Sequence, residues 1–477
     1  MVPGKRENSP HEDPVEGRGA PDQDPMEGKM EGISSPETVS TKLSRIAELA
    51  RTMPGKALHS LSRHIDVEWL KEAYRRTRKG GAVGVDGQTA KDYECKLEEN
   101  LRSLLDRFKS GEYRAPPVRR VHIPKDDGKT RPIGIPAFED KVLQRAVSMI
   151  LEAIYEQDFL DCSYAFRPKR SAHMALDTLW KRLMDMGGGW VLEVDIKAFF
   201  DTLVHTQLRA FLDQRVRDGV LRRTIDKWLS AGVMEDGSLS FPEDGTPQGG
   251  VVSPILANVY LHEVLDLWFV REVQPRLRGQ AHLIRFADDA VLVFELEDDA
   301  RRVLNVLPKR FGKHGLTLHP TKTRLIPFVR PRRTSVAQAP GNPTRPGTFD
   351  LLGFNHRWAL SRARKWVVVR ETCQARFKRA AIRINDWCQT NRHLPVKQQR
   401  KTLALKLNGH CQYYGITGNS YALTRFRYAL LKSWQRWLDR RSQKRKMPWP
   451  RFNQLLQAHP IPAARAVHSL LRRGANV

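Results

Sequence analysis

Two apolar runs that meet at a single Ala-Asp-Asp step constrain the fold of this chain more than any other feature. Residues 284–294 read Ile-Arg-Phe-Ala-Asp-Asp-Ala-Val-Leu-Val-Phe. Short apolar runs bounded by turn residues are typical of strands, and two such runs with so short a polar break predict a β-hairpin. The sequence therefore places the carboxylates of Asp288 and Asp289 at the tip of a hairpin.

A third carboxylate follows another apolar run. Residues 191–201 read Val-Leu-Glu-Val-Asp-Ile-Lys-Ala-Phe-Phe-Asp, so that Asp195 ends a predicted strand. Hard cations such as Mg²⁺ take oxygen ligands, typically one or two carboxylates together with substrate phosphates. A phosphoryl-transfer site with two ions about 3.5–4 Å apart needs carboxylates from separate strands. Asp195 and Asp288 meet this requirement if their strands are neighbours.

Each of these carboxylates also has a simpler interpretation. An Asp-Asp pair by itself is typical of a solvated turn, because aspartate is a favoured turn residue. Asp201, which follows two phenylalanines, is predicted to cap the next helix rather than to bind a metal ion. The choice between these interpretations depends on whether further motifs accompany the carboxylates in a meaningful order.

The periodicity of apolar residues predicts a mixed fold. Helical spacing covers residues 67–76, 137–156 and 172–184, and strand patterns cover residues 190–196, 282–286 and 290–295. Helices and strands follow each other without strict βαβ alternation, which predicts an α+β fold with an antiparallel sheet. After Glu371 only helical periodicity remains, so the end of the chain is predicted to be helical.

Charge divides the chain into unequal parts. The 477 residues carry a net charge of +28, yet residues 1–40 hold four basic and nine acidic residues with six prolines, which predicts a disordered acidic tail. Residues 355–477 hold 27 Lys and Arg against three acidic residues. A Pro/Arg/Gly-rich stretch, 330–347, is predicted to be an exposed loop. The basic excess indicates a polyanionic partner, with nucleic acid as the first candidate.

Several classes of protein are excluded by composition. No apolar stretch approaches the 18 residues of a transmembrane helix, and the first 30 residues lack an apolar signal-peptide core. The five cysteines are scattered without a Cys-x-x-Cys pair, which argues against a disulfide scaffold and an ordinary structural zinc site. We therefore expect a cytoplasmic protein without a membrane partner.

Further motifs, in one order along the chain, resemble the reverse transcriptases encoded by bacterial group II introns. Arg285-Phe-Ala-Asp-Asp is similar to their Tyr/Phe-x-Asp-Asp signature, and Gly245-Thr-Pro-Gln-Gly-Gly-Val-Val-Ser-Pro-Ile-Leu-Ala-Asn-Val-Tyr260 is close to a full match of their most diagnostic block. The other matching blocks are 84–87, 123–136, 163–168, 195–201, 322–323 and 352–354. In the block at 163–168, Ala165 occupies a position where the family usually has glycine.

The resemblance implies a right-hand polymerase fold with fingers, palm and thumb. It implies that Asp195 and Asp288 ligate Mg²⁺, with Mn²⁺ as an alternative ion, while Asp289 is the third active-site carboxylate and Ile196 a further ligand. The implied reaction is in-line attack of a primer 3′-hydroxyl on the α-phosphate of a dNTP. The ions would activate the nucleophile and neutralise charge on the pyrophosphate.

The resemblance also implies a nucleotide pocket. Lys125 and Arg131, on a strand-turn-strand of the fingers, would clamp the triphosphate, with a solvated basic strand face as the alternative. Phe200 would crowd a ribose 2′-hydroxyl, whereas its neighbour Phe199 fits a core position better. The remaining implied pocket residues are Gln248 and Gly249 on the floor and Lys322 near the leaving phosphate, where an ordinary surface lysine is an equal alternative.

The helical end resembles the thumb, or maturase, domain of the same family. The matching segments are 407–414 and 433–438, from which Cys411 and Gln412 depart. Trp434 and Trp437 lie about one helical turn apart and fit a core position better than stacking on RNA. A solvated face is the usual interpretation of a basic run, but such density repels itself unless a polyanion neutralises it. The predicted RNA-binding residues are Arg427, Lys432, Arg436, Arg440, Arg441, Lys444, Arg445 and Lys446.

These observations predict four regions and a set of partners. After the tail at 1–40 come fingers and palm at 41–355, with an N-terminal extension at about 60–115, then a helical thumb at 356–445. Residues 446–477 are predicted to be a short DNA-binding remnant, since no paired cysteines of an H-N-H endonuclease and no ribonuclease H block occur. The expected partners are group II intron RNA, an RNA template with a DNA primer, dNTPs and target DNA; the oligomeric state stays open.

Three functions fit the motifs. The first is an intron protein that assists splicing of its intron and copies the RNA into DNA, acting in the bacterial cytoplasm and at the nucleoid. The second is a reverse transcriptase of the same lineage recruited to host defence or another cellular role. The third is a non-enzymatic splicing factor, against which the intact Asp195, Asp288 and Asp289 argue. The thumb resemblance and the absence of a fused effector favour the first.

Overall fold

The computed structural model describes residues 38–124, 130–235, 238–241, 245, 249–331, 347–442 and 446–468. Most of the predicted acidic tail and of the predicted loop at 330–347 lies outside these ranges. The helices are α1 (Val39–Thr52), α2 (Val67–Arg76), α3 (Ala90–Glu94), α4 (Leu97–Ser110), α5 (Phe138–Tyr155), α6 (Ala172–Asp185), α7 (His205–Asp213), α8 (Gly219–Leu229), α9 (Ser253–Leu261), α10 (Glu297–Lys313), α11 (Gln374–Thr390), α12 (Val396–Tyr414), α13 (Ser420–Asp439) and α14 (Trp449–Ala458).

Within the described ranges, the strands form three sheets. They are β1 (Val118–Pro124), β2 (Thr130–Ile135), β3 (Trp190–Val194), β4 (Val233–Glu235), β5 (Ser238–Ser240), β6 (Ala281–Phe286), β7 (Asp289–Phe294), β8 (Arg324–Pro327), β9 (Phe349–Leu351), β10 (Phe354–Leu360) and β11 (Trp366–Thr372). Their orders are β2-β1-β4-β5, β6-β7-β3-β8 and β11-β10-β9. Helices and antiparallel strands are mixed, which confirms the predicted α+β fold.

The central sheet, β6-β7-β3-β8, is antiparallel throughout. Its apolar side chains alternate between two cores because successive residues of a strand point to opposite faces. Leu192 and Leu292 belong to the larger core with α5 and α9, whereas Val191 and Val293 belong to a second core with α6. The sheet is therefore covered on both faces.

The N-terminal helices pack against the long, apolar α5. The N-cap residue Asp66 accepts a hydrogen bond from the Trp69 amide at 2.9 Å and so satisfies one of the free N–H groups at the start of α2. Trp69 is completely buried, and its indole N–H donates to the Ala146 carbonyl of α5 at 3.0 Å. The predicted helix at 67–76 coincides with α2.

The helical end has a core of its own. Residues of α11, α12 and α13 form it together with Phe452 of α14 and with Ile461. Strands β10 and β11, by contrast, contribute Phe354, Trp358 and Val368 to the second core of the central sheet. The predicted boundary between palm and thumb at residues 355 and 356 thus falls inside β10, and the helices begin at Gln374.

Among the described helices, none combines the length and the apolar composition that crossing a bilayer requires.

Candidate active site

The turn between β6 and β7 carries the paired carboxylates. Phe286 pairs with Asp289, so Ala287 and Asp288 form a two-residue turn. Ala287 has φ +59°, which is unfavourable for a residue with a Cβ atom and typical of tight hairpin turns. The structure confirms the predicted hairpin, with Asp288 in the turn and Asp289 as the first residue of β7.

Asp195 lies at the same end of the sheet. It directly follows β3, whose Val194 pairs with Ala290 of β7, so the neighbouring strands bring Asp195 beside Asp289. Its carbonyl accepts a hydrogen bond from the His319 amide at 2.8 Å. Ile196, the other predicted ligand on this strand, is 5% exposed and forms an isolated bridge with Leu318.

The carboxylates influence one another. The pKa of Asp289 is raised to about 6, first by loss of hydration in the cleft and then by the negative charges of Asp288 and Asp195, although its side chain still reaches solvent. Lys322 opposes this effect, and its Nζ lies 3.1 Å from Asp195 Oδ2. The three aspartates therefore face a common region of negative potential, which a cation would neutralise.

The donor set fits a divalent ion with oxygen ligands. The described part of the chain contains no ready-made group of three or more His, Cys, Asp or Glu side chains around a metal position. Mg²⁺ usually takes only one or two carboxylates and completes its shell with water and substrate phosphates. Asp195 and Asp288 provide carboxylates from two neighbouring segments. The loss of hydration and the neighbouring negative charges that raise the pKa of Asp289 indicate where a cation would be stabilising.

A cleft of about 350 Å³ opens beside the carboxylates. Its walls come from β3, β7, β8 and β9 and from residues that flank these strands. Its lining includes Asp195, Asp289, Lys322, Arg324, Asp350 and Leu352.

Gly245 and Gly249 pack closely against neighbouring backbone. Gly249 has φ +123°, and a Cβ atom there would lie 2.5 Å from the Gly134 carbonyl oxygen of β2. Gly245 has φ +92°, and its amide donates to the Leu203 carbonyl at 2.9 Å. Close packing of this loop against the fingers explains why glycine is required at position 249. The predicted floor residue Gln248 lies outside the described residues.

The β1–β2 hairpin and the two phenylalanines carry further residues of the predicted nucleotide pocket. Arg131 is exposed on β2 opposite Ile123 of β1, while Lys125 lies outside the described residues. Phe199 is 2% exposed and belongs to the core, whereas Phe200 is only partly buried and packs against Phe199 with ring centroids 5.3 Å apart. The structure confirms Phe199 as a core residue, and the role of Phe200 at the ribose stays a prediction.

The prediction that Asp201 caps a helix is wrong. Phe199–Asp201 form a short 3₁₀ turn, and α7 begins only at His205 with Val204 at its cap position and no side-chain cap bond. The turn follows Ala198, which has φ +48°. Asp201 is exposed and leaves Asp195 as the inward carboxylate of this segment.

One supporting network was not predicted. Gln144 on α5 accepts from the Val251 amide at 2.7 Å and donates to Asp140 at 2.9 Å. Asp140 also accepts hydrogen bonds from Tyr113 and from Trp228, and burial raises its pKa to about 6. The network joins the glycine loop to α5 and to the N-terminal helices. The spacing of Asp140 and Gln144, four residues apart on α5, predicts that the two side chains can meet, but the sequence does not indicate that their other partners are Tyr113, Trp228 and Val251.

The predicted RNA-binding residues of the helical end have different environments. Arg427 is half-buried and donates to the carbonyls of Pro462 at 2.9 Å and Ile461 at 3.3 Å, so its guanidinium secures the segment after α14. Lys444 and Arg445 lie outside the described residues. The exposed members are Lys432, Arg436, Arg440, Arg441 and Lys446.

The two tryptophans of α13 are core residues. Trp434 is completely buried and Trp437 is 8% exposed. The Trp434 indole donates to Gln399 at 2.9 Å, and that of Trp437 donates to Asn385 at 3.0 Å. Stacking of these rings on RNA does not fit this burial, and the core interpretation holds.

Comparison with known proteins agrees with this geometry. Residues 123–356 match the reverse transcriptase (RNA-dependent DNA polymerase) family. The chain is 36% identical over 331 residues to protein YkfC of Escherichia coli K12, covering 61% of this chain and 85% of that protein. It is 34% identical over 304 residues to the group II intron-encoded protein LtrA of Lactococcus lactis subsp. cremoris, covering 60% of this chain and 50% of that protein.

A more distant relative is named an intron maturase. The chain is 27% identical over 182 residues to the nuclear intron maturase 2, mitochondrial, of Arabidopsis thaliana, covering 30% of this chain and 24% of that protein. These relatives do not favour the alternative of recruitment to host defence. Because the matched polymerase region, the intron-encoded relatives and the carboxylate geometry of the palm agree, the chain belongs to the family of reverse transcriptases encoded by group II introns.

Proposed function

We propose that this chain copies RNA into DNA at the cleft beside Asp195, Asp288 and Asp289. The observation that carries this proposal is the meeting of Asp195 with the Asp288–Asp289 turn at one end of two neighbouring antiparallel strands. RNA-directed DNA polymerase activity is the activity of the family to which the chain belongs. The assignment of individual residues to that activity is our inference.

Asp195, Asp288 and the backbone at Ile196 would hold Mg²⁺, or Mn²⁺ in its place. When bound, the ions lower the pKa of the primer 3′-hydroxyl and neutralise charge that develops on the triphosphate. Asp195 and Asp288 orient the site from fixed strand ends. Asp289, whose pKa is raised to about 6 by loss of hydration and by its acidic neighbours, would remain mostly ionised at neutral pH and add negative charge to the site.

The nucleotide would occupy the space between the carboxylates, the glycine loop and the fingers. Arg131, together with Lys125, would bind triphosphate oxygens, for which the planar guanidinium is well suited. The partly exposed ring of Phe200 would contact the ribose and disfavour a 2′-hydroxyl. Gln248 and Gly249 would form the floor, and Lys322, which is paired with Asp195, would move to the leaving phosphate.

The helical end would hold RNA and the growing duplex. Lys432 and Arg436 project from α13 into solvent, and only two acidic residues occur after residue 372. Such a surface attracts polyanions strongly at low salt. Together with the names of the relatives, this supports a role as a maturase that binds group II intron RNA and assists its splicing, and that primes cDNA synthesis on target DNA.

Location and division of labour belong to the same proposal. The protein would act in the cytoplasm and at the nucleoid, with fingers and palm in residues 41–355, the thumb in 356–445 and a DNA-contacting segment in 446–477. Phe452 of that last segment packs into the core of the helical end, so the segment would act as part of the thumb.

Primer extension tests the polymerase assignment. The purified protein, given an RNA template, a DNA primer, dNTPs and Mg²⁺, is expected to extend the primer, and Asp288→Ala is expected to abolish extension. Asp298→Ala is the matched control, because Asp298 is an exposed carboxylate on α10 that pairs with Arg278. Extension by the Asp288 variant at the wild-type rate would contradict the assignment.

Splicing of the flanking intron tests the maturase assignment. Added protein is expected to accelerate excision of its own intron RNA at low Mg²⁺, and Asp288→Ala is expected to leave this acceleration intact. Loss of both activities in that variant would indicate that the palm carboxylates support the fold rather than the chemistry.

A further inference from the structure

A fully buried arginine lies directly behind the catalytic turn. Arg285, on β6, is 0% exposed, and so is its ion-pair partner Asp266. Nε donates to Asp266 Oδ1 at 2.7 Å and Nη2 to Asp266 Oδ2 at 2.6 Å, a bidentate arrangement. Taking two charges out of water is costly unless their geometry and further hydrogen bonds compensate. The pair therefore needs an explanation beyond ordinary core packing.

All five N–H groups of the guanidinium have acceptors. Besides the two bonds to Asp266, Nη2 donates to Ser163 Oγ at 2.8 Å and Nη1 donates to Asn258 Oδ1 at 3.0 Å. The fifth bond runs from Nη1 to the Ala287 carbonyl at 3.1 Å. The guanidinium thus joins four segments of the chain. They are the segment before α6 (Ser163), helix α9 (Asn258), the π-helical turn His262–Asp266 that follows α9, and the β6–β7 turn (Ala287).

The fifth acceptor lies at the catalytic turn itself. Ala287 precedes Asp288 and has the unfavourable φ of +59°. Its carbonyl belongs to the peptide group that leads into Asp288, so a donor fixed inside the protein determines the plane of that peptide. The backbone of Arg285 itself is also held. Its amide donates to the Cys162 carbonyl at 2.7 Å, and its carbonyl accepts a hydrogen bond from the Tyr164 amide at 3.0 Å.

Asp266 is available to hold Arg285 in this position. His262 Nδ1 lies 3.9 Å from Asp266 Oδ2, but burial lowers the pKa of His262 to about 4. His262 is therefore uncharged at neutral pH, and the positive charge opposite Asp266 comes from Arg285. Asn258, a further acceptor, is oriented by its own bond from Nδ2 to the Ala165 carbonyl at 2.8 Å.

We propose that Arg285, held by Asp266, is a positioning residue that fixes the Ala287–Asp288 peptide and thereby the metal-binding direction of Asp288. The inference rests on the proposed function of Asp288 and adds a residue that does not touch substrate. Lysine cannot replace arginine in this role, because an ammonium group has three donors on a flexible chain and lacks the planar fork. Small displacements of a catalytic group are sufficient to reduce turnover strongly.

A buried arginine far from the site provides a matched control. Arg215 is 5% exposed, and its Nε donates to Asp158 at 2.7 Å. Its other donors bind carbonyls near the end of α1, including that of Ala50 at 2.8 Å. Arg215→Lys removes donors from a comparable buried network, but that network does not include the catalytic turn.

The experiment compares Arg285→Lys, the double variant Arg285→Met with Asp266→Leu, and Arg215→Lys. Thermal unfolding, kcat, KM for dNTP and the affinity for Mn²⁺ without substrates, followed by electron paramagnetic resonance, are measured for each. Replacing both charges by apolar groups of similar volume often preserves or increases stability. The double variant therefore separates support of the fold from positioning of the turn.

We expect both Arg285 variants to unfold cooperatively, with kcat reduced about 100-fold, dNTP KM changed little and Mn²⁺ bound more weakly. Arg215→Lys is expected to lower only the unfolding temperature. Wild-type kcat and Mn²⁺ affinity in either folded Arg285 variant would overturn the proposal. If the double variant fails to fold, Arg285→Lys alone decides. A wild-type protein that binds Mn²⁺ but does not extend a primer would contradict the proposed function instead. In that case the difference in Mn²⁺ affinity between the wild type and the Arg285 variants would still decide the role of Arg285.

Discussion

Charged side chains serve opposite purposes in the palm and in the helical end. In the palm, Arg285 and Asp266 are both fully buried and paired, so their charges determine where backbone atoms lie. In the helical end, Lys432 and Arg436 face solvent, and only two acidic residues occur after residue 372. The Arg285 and Asp266 charges balance each other inside the protein, whereas the exposed charges of the helical end are balanced by solvent ions and remain able to attract a polyanion.

The contrast is not complete, because some basic residues of the helical end are structural. Arg427 and Arg400 donate to carbonyls of residues 460–462, and Arg440 lies over the Trp437 ring at 5.1 Å. The surface that can meet nucleic acid is therefore smaller than the number of basic residues suggests. Variants that change packing and charge separately in the palm and in the helical end can test this difference.

The largest effect is expected from the core of the helical end. Trp434→Ala removes a completely buried ring and its 2.9 Å bond to Gln399, and should reduce the free energy of unfolding by about 3–5 kcal/mol. Guanidinium denaturation measures this change. Tyr421→Ala, at a side chain that is 72% exposed on the same helix, is the control. A loss as small as that of the control would mean that the charged end lacks a packed core.

Acid sensitivity should arise from a buried histidine beside the palm. His356 is fully buried, stacks on Phe349 with centroids 4.6 Å apart, and has its pKa lowered by burial to about 3. Since the unfolded chain takes up the proton near pH 6.5, this group stabilises the fold above that pH and the stability is lost as the pH falls toward 3. Between pH 7 and 5 the loss is about 2 kcal/mol.

His356→Phe tests this origin of the acid sensitivity. The variant keeps the stacked ring, and its urea midpoint should fall less than that of the wild type on going from pH 7 to 5. Equal pH dependence in the two proteins would assign the sensitivity to other groups.

The exposed charges of α13 should control the salt dependence of RNA binding. Lys432→Ala with Arg436→Ala should make the slope of log K against log salt less steep by about 1.4 and weaken binding about tenfold at physiological salt. Arg301→Ala with Arg302→Ala, on α10 beside the palm, is the charge-matched control. An unchanged slope in the α13 variant would remove this face from the RNA-binding surface.

The smallest effect is expected at the exposed ion pair of the active site. Lys322 and Asp195 have side chains that are 61% and 30% exposed, and such pairs contribute little. Lys322→Met should therefore change the Mg²⁺ concentration for half-maximal activity by less than about fivefold. The same variant tests the proposed contact with the leaving phosphate, because a fall in kcat at saturating Mg²⁺ would support that contact and an unchanged kcat would contradict it.

Features that depend on local pattern were predictable from the sequence. The hairpin at Asp288 follows from two apolar runs and a short break, and the position of Asp195 follows from one strand end. The N-cap of α2 and the apolar face containing Trp69 are likewise local. Such features need only the period of the side chains and the chemistry of turns.

Features that depend on distant partners were not predictable. Nothing near Arg285 in sequence indicates that its acceptors are Ser163, Asn258 and Asp266, which the fold gathers from separate helices and loops. The prediction that Asp201 caps a helix failed for a related reason. The left-handed backbone of Ala198 and the packing of Phe199 give a 3₁₀ turn where the start of a helix was expected. The assignment of Arg427 to RNA similarly overlooked carbonyl partners beyond α14.

The strand order of the palm also has a consequence for synthesis of the protein. Strand β3 is central in the sheet, yet its neighbour β7 begins only at Asp289 and β8 only at Arg324. At translation rates of roughly 5–20 residues per second, the roughly 95 residues between β3 and β7 take about 5–20 s. During that interval both edges of an apolar strand are unpaired, which favours association with other chains. Slower growth at low temperature, or a chaperone bound to the nascent chain, should therefore raise the yield of folded protein more than any change in the helical end.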